Sequence, residues 1–106
     1  VARTANFGQV IVDGRGKIIA WNRGMSETTG WRADQMIGKQ ITDVLAAGAE
    51  DSAVVRAMLE GGSASGNMLL KRAGTKTGTV LIHAHVNTAA DFRFVTAEPA
   101  GAVYTL

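Results

Sequence analysis

The side chains best suited to chemistry are two histidines, His83 and His85, two residues apart. On a strand that spacing puts both imidazoles on one face, where they could chelate a single metal ion. No third histidine and no nearby carboxylate completes a ligand set, so the pair reads as two solvated strand side chains. The chain has no cysteine. That excludes disulfides, thiolate metal sites, a cysteine nucleophile and any cofactor attached through sulfur. Ser26, Glu27, Thr28 and Thr29 stand together, but at the spacing of a helix surface rather than of a nucleophile and its base. Asp13 and Asp43 read as turn and cap residues. Gly14-Arg15-Gly16 lacks the third glycine and the long helix of a phosphate-binding loop. These residues make no catalytic constellation, and the chain reads as a non-enzyme.

Composition narrows the classes further. At 106 residues, 46% hydrophobic and 19% charged, the sequence holds one globular domain, spanning 1–106 with a core over about 8–97. Eleven Lys and Arg face nine Asp and Glu, and the longest basic run is the pair Lys71-Arg72. A nucleic-acid face needs a denser stripe, so no direct nucleic-acid contact is expected. No apolar stretch approaches the roughly 18 residues of a membrane span. The opening Val1-Ala2-Arg3-Thr4 is no signal peptide and lacks an initiator Met, so the chain reads as a piece of a longer, cytoplasmic protein.

The elements follow from local patterns. Residues 8–13 and 17–22 are short apolar runs joined by Asp13-Gly14-Arg15-Gly16, a β-hairpin. Asn22 is placed to cap a helix over 23–29, and Gly30 to end it in the left-handed conformation. A further turn over 32–37 stops at Gly38, and Thr42 or Asp43 opens another through Leu45. Residues 50–60 are the best helix. Val54, Val55, Met58 and Leu59 form its stripe, Asp51 or Ser52 starts it, and Gly61-Gly62 stop it. Residues 61–66 read as a loop. Strands are expected over 67–72, 77–87 and 92–97, with Val103-Tyr104-Thr105-Leu106 extending the last or pairing elsewhere. In 77–87, alternation puts Val80, Ile82, Ala84 and Val86 on the helix-facing side and Leu81, His83, His85 and Asn87 outside. The fold class is α+β: a five-stranded antiparallel sheet with short helices and one longer helix on one face. A small-molecule cavity belongs between the two layers.

Residues 8–45 resemble the N-terminal half of a PAS domain. The resemblance rests on Val10-Ile11-Val12-Asp13, Gly14-Arg15-Gly16, Ile18-Ile19-Ala20-Trp21-Asn22, Gly30-Trp31, Met36-Ile37-Gly38-Lys39 and Asp43-Val44-Leu45, in order and at family spacing. A looser likeness continues through the hairpin around Gly74 to Gly78 and covers roughly residues 8 to 97. The stretch after Pro99 departs from the family's helical exit. What the resemblance implies is a sensory or dimerisation module of a signal-transduction protein, such as a two-component kinase or a transcription regulator. Such a module binds a small ligand or partner and relays a conformational change to an output domain.

Some PAS domains hold flavin or haem. Without cysteine, neither a flavin–cysteinyl adduct nor a thioester chromophore can form. Trp21 and Trp31 could stack on a non-covalent flavin, with Asn67 or Asn87 on its polar edge; that is the alternative function, a redox or gas sensor. Haem is less favoured, because helix 50–60 carries no histidine and both histidines point outward. The expected ligand lining is Ile11, Trp21, Met25, Met36, Ile37, Leu45, Val55, Met58, Leu59 and Ile82, with methionine suited to re-packing around a guest. Apolar residues on both faces of 18–21 require that either Ile18 and Ala20 or Ile19 and Trp21 look outward or be covered by Val1 to Phe7, a segment too short to cover a sheet unaided. With Leu69 and Leu81 they would form a patch that a second copy covers, a homodimer through the outer sheet face. Glu27 is a candidate to bridge to Lys71 or Arg72.

Overall fold

The computed structural model describes residues 7–46, 52–74 and 78–100. Strands β1 (Gly8–Asp13) and β2 (Ile18–Trp21) form the opening hairpin. Helices α1 (Arg23–Thr29) and α2 (Ala33–Met36) follow, then a 3-10 turn over Ile41–Val44 and helix α3 (Ala53–Glu60). Strands β3 (Ala64–Lys71), β4 (Thr79–Ala89) and β5 (Phe92–Pro99) complete one antiparallel sheet of order β2-β1-β5-β4-β3. The first and last strands of the described chain thus meet at the sheet centre, where Val10 pairs with Val95 and Val12 with Arg93.

The caps form as the residue types dictate. The Asn22 side chain accepts from the Met25 amide, and Gly30 ends α1 at φ 84° while its N–H donates to the Ser26 carbonyl. Ser52 caps α3 by accepting from the Val55 amide. Asp51 and Val103 to Leu106 lie outside the described residues.

Three local expectations are corrected. In β2 both Ile18 and Trp21 are buried. Val12 pairs with Ile18 and Ile11 with Ala20, so Ile19 is an extra residue. This β-bulge switches the face mid-strand, which strict alternation does not allow for. Strand β3 begins at Ala64, so residues 64–66 are strand and not loop: Ala64, Ser65 and Gly66 pair with Val86, His85 and Ala84. Their small or polar side chains carry no apolar signal. Glu27 turns to Arg23 at 2.9 Å, an exposed i,i+4 pair, rather than to the hairpin.

The helical layer is strapped to both sheet edges. Gly38 N–H donates to the Ile18 carbonyl and Ile18 N–H to the Lys39 carbonyl, which closes the free side of β2. On the other edge Ala46 N–H donates to the Leu69 carbonyl. Beyond it, Ala73 N–H donates to the Thr29 carbonyl at 3.0 Å, and the Trp31 indole donates to the Lys71 carbonyl at 3.0 Å. Among the described residues no helix is long and apolar enough to cross a membrane.

Candidate functional site

The inner face of the sheet reads in rows across the strands. One row is Gly8, Ala97, Ala84 and Gly66; the next is Val10, Val95, Val86 and Ala64. The first row has almost no side-chain volume, so helices approach closely there. A Cβ on Gly8 would lie 2.5 Å from Met25 Sδ, and one on Gly66 would touch Val54 at 3.4 Å. Met25 from α1 and Val54 from α3 fill the trough.

Seven of the ten expected lining residues share this interior: Trp21, Met25, Met36, Leu45, Val55, Met58 and Ile82. Three do not. Ile11 points to the other face, because Val10 and Val12 take the inward positions of β1. It borders a surface concavity of about 320 Å³ with Gln9, Ala20, Phe94 and Thr96. Ile37 follows α2 and is 50% exposed. Leu59 is 37% exposed; one step along α3 from Met58, it has rotated off the buried stripe. Val10, Val12, Val54, Met68, Val86 and Val95 also line the interior; the two-residue period of their strands was the available signal for all but Val54.

The flavin arrangement is not assembled. Asn67 and Asn87 lie on the outer face, where Asn67 Oδ1 is 2.8 Å from His83 Nδ1 and Asn87 Oδ1 accepts from Ser63. The Trp21 indole N–H donates to the Trp31 carbonyl, so both indole donors are taken by backbone. Haem fits no better. His83 and His85 face outward from β4, stacked edge to face at 5.0 Å, with His85 Nδ1 2.6 Å from Ser65 Oγ. Among the described residues no cluster of three metal-ligating side chains occurs.

The outer face is divided. Leu69 and Leu81 pair across strands at one end, and Ile19, Phe92 and Phe94 are exposed toward the other. Between them runs a polar belt, Asn67, His83 and Glu98 in one row and Ser65, His85, Thr96 and Gln9 in the next.

One interior feature has no counterpart in the sequence reading. Arg93 of β5 faces inward and is only 7% exposed. Its Nε is the only buried side-chain nitrogen or oxygen among the described residues without a hydrogen-bond partner.

A central five-stranded antiparallel sheet with short helices over one face is the PAS architecture, and the sequence profile of the PAS fold matches residues 2–93. The chain belongs to the PAS family. It is similar to the PAS domain of the Cronobacter turicensis RpfR quorum-sensing receptor, solved in complex with BDSF and with C12:0. Identity is 25%, TM-score 0.73, covering 94% of this chain and 99% of that one. A PAS domain of a Colwellia psychrerythraea protein superposes at TM-score 0.75 with 18% identity, over 89% of this chain and 86% of that one. The Rhodobacter sphaeroides LOV protein does so at 0.77 with 13% identity, over 92% of this chain and 62% of that one. These last two likenesses are of fold alone. No match was found among curated protein sequences.

Proposed function

We propose that this PAS domain is a non-catalytic sensory module of a longer cytoplasmic signalling protein. A small acyl-chain ligand enters between sheet and helices, and its occupancy is relayed to an output domain. The observation that carries this reading is the Met25 plug. An unbranched, polarisable side chain fills the Gly8 end of a trough built from Gly8, Ala97, Ala84 and Gly66, and its withdrawal vacates space within the apolar core that also holds Trp21 and Met58. The likeness to the RpfR domain solved with BDSF and with C12:0 supports an acyl guest. Met25, Met36, Leu45, Val55 and Ile82 are the side chains we assign to the lining.

Relay requires that the ligand bind two arrangements unequally. In this reading the arrangements differ in how α1 sits on the sheet, and a homodimer through the outer sheet face conveys the difference. The exposed Leu69, Leu81, Phe92 and Phe94 support that face as the contact.

The test is a titration with dodecanoate followed by tryptophan emission, because Trp21 is buried in the core. Saturable quenching or enhancement is expected, with tighter binding in Met25→Ala, which vacates that space. An emission that stays flat up to the solubility limit of dodecanoate refutes the ligand reading.

A further inference from the structure

We propose that Arg93 anchors a carboxylate at the end of the space between sheet and helices; the inference rests on the ligand reading above. Arg93 is the one charged residue among the buried described residues. An arginine keeps its charge on burial, so a largely buried side chain whose Nε is enclosed without a partner favours a counter-charge and hydrogen-bond acceptors. This one has neither within the described chain. The ion pairs found there are Arg23–Glu27 and Arg32–Asp34. Asp13, on the adjacent strand, spends Oδ1 on the amides of Arg15 and Lys17. Thr88, paired with Arg93 across the strands, exchanges hydrogen bonds with the backbone of Gly62.

Glycine backbone packs against both ends of the guanidinium. A Cβ on Gly14 would sit 3.7 Å from Nη1, and one on Gly61 3.3 Å from Nη2. The two ends of the guanidinium are thus flanked by the β1–β2 turn and the end of α3, each presenting a residue without a side chain. The end of α3 supplies partial negative charge, which orients the cation without giving Nε an acceptor. The planar fork matches the two oxygens of a carboxylate. One row inward the sheet is wholly apolar, Val10, Val95 and Val86. A cation at the end of an apolar layer fits an amphipathic acid, with its head on Arg93 and its chain along that row.

The experiment compares dodecanoate, 1-dodecanol and acetate by calorimetric titration of the wild-type chain, Arg93→Met and Gly14→Glu. The wild type is expected to bind dodecanoate about tenfold or more tightly than 1-dodecanol, the margin of a charge-assisted pair. Arg93→Met removes that margin by weakening dodecanoate while leaving 1-dodecanol unchanged. Gly14→Glu supplies an internal carboxylate, weakens dodecanoate in the same way and raises the thermal midpoint of the ligand-free protein. It decides the matter alone if Arg93→Met does not fold. Equal dodecanoate affinity in all three proteins overturns the anchor and leaves the acyl reading standing. Acetate binding that Arg93→Met abolishes, with no dodecanoate binding, keeps the anchor and removes the acyl chain. No binding of any of the three overturns both.

Discussion

Replacing Asn22 by alanine removes three hydrogen bonds at the junction of β2 and α1. Its Oδ1 accepts from Gln9 N–H at 2.8 Å and from Met25 N–H at 3.0 Å, and its Nδ2 donates to the Phe7 carbonyl at 3.1 Å. The bond to Met25 is a helix N-cap, worth about 1 kcal/mol. The other two are exposed, where water replaces the partner, so each falls near the low end, about 0.5 kcal/mol. Asn22→Ala should therefore cost about 2 kcal/mol, a fall of about 10 °C in thermal midpoint for a domain of this size. Asn22→Asp keeps both acceptor bonds, adds a favourable charge at the start of α1, and should cost about 0.5 kcal/mol or less. Urea unfolding with a common slope measures both. An alanine variant within about 0.5 kcal/mol of wild type, or an aspartate variant as damaged as the alanine one, refutes the assignment of this side chain as the pin between strand and helix.

Gly8→Ala drives a methyl group into Met25 and should cost about 1–3 kcal/mol, with most of that loss absent in a Met25→Ala background; additive effects in the double-mutant cycle would deny the contact. Amides of Lys17 and Arg15 hold the Asp13 carboxyl below its ordinary value of 3.8. Its stabilising contribution is thus complete above that value and is lost as pH falls through the lower folded one. Asp13→Asn should flatten that part of the acid limb in urea midpoints from pH 2 to 6, and curves that stay parallel would contradict the shift. Sedimentation should show a dimer at high micromolar concentration, dispersed by Leu81→Glu or Phe94→Glu, whereas a wild type that remains monomeric removes the outer-face interface.

Features written in contiguous residues were legible from the sequence. The Asp13-Gly14-Arg15-Gly16 turn, the Asn22 cap and the Gly30 stop are each set by one or two side chains acting on their own neighbourhood. The two faces of β4 were legible too, because Ile82, Ala84 and Val86 alternate cleanly with polar residues. What failed depends on distant partners. The Ile19 bulge is fixed by how β2 registers on β1, and it alone allows Ile18 and Trp21 to share the interior. Ile11 suits a core by type, but strand parity gives the inner side of β1 to Val10 and Val12. Strand β5 inverts its hydrophobic pattern, with Phe92 and Phe94 outside and Arg93 inside. Pairing with β1 and β4 sets that parity, against local preference.

The ties from Thr29 and Trp31 to Ala73 and Lys71 have a mechanical consequence. The loop leaving α1 and the end of β3 are fastened together at the far margin of the sheet. A guest that lifts α1 must therefore drag that margin along or snap the fastening. In the proposed reading, dragging the margin bends the sheet, so the shift of α1 is also written as curvature, whereas snapping the fastening leaves the sheet as it was.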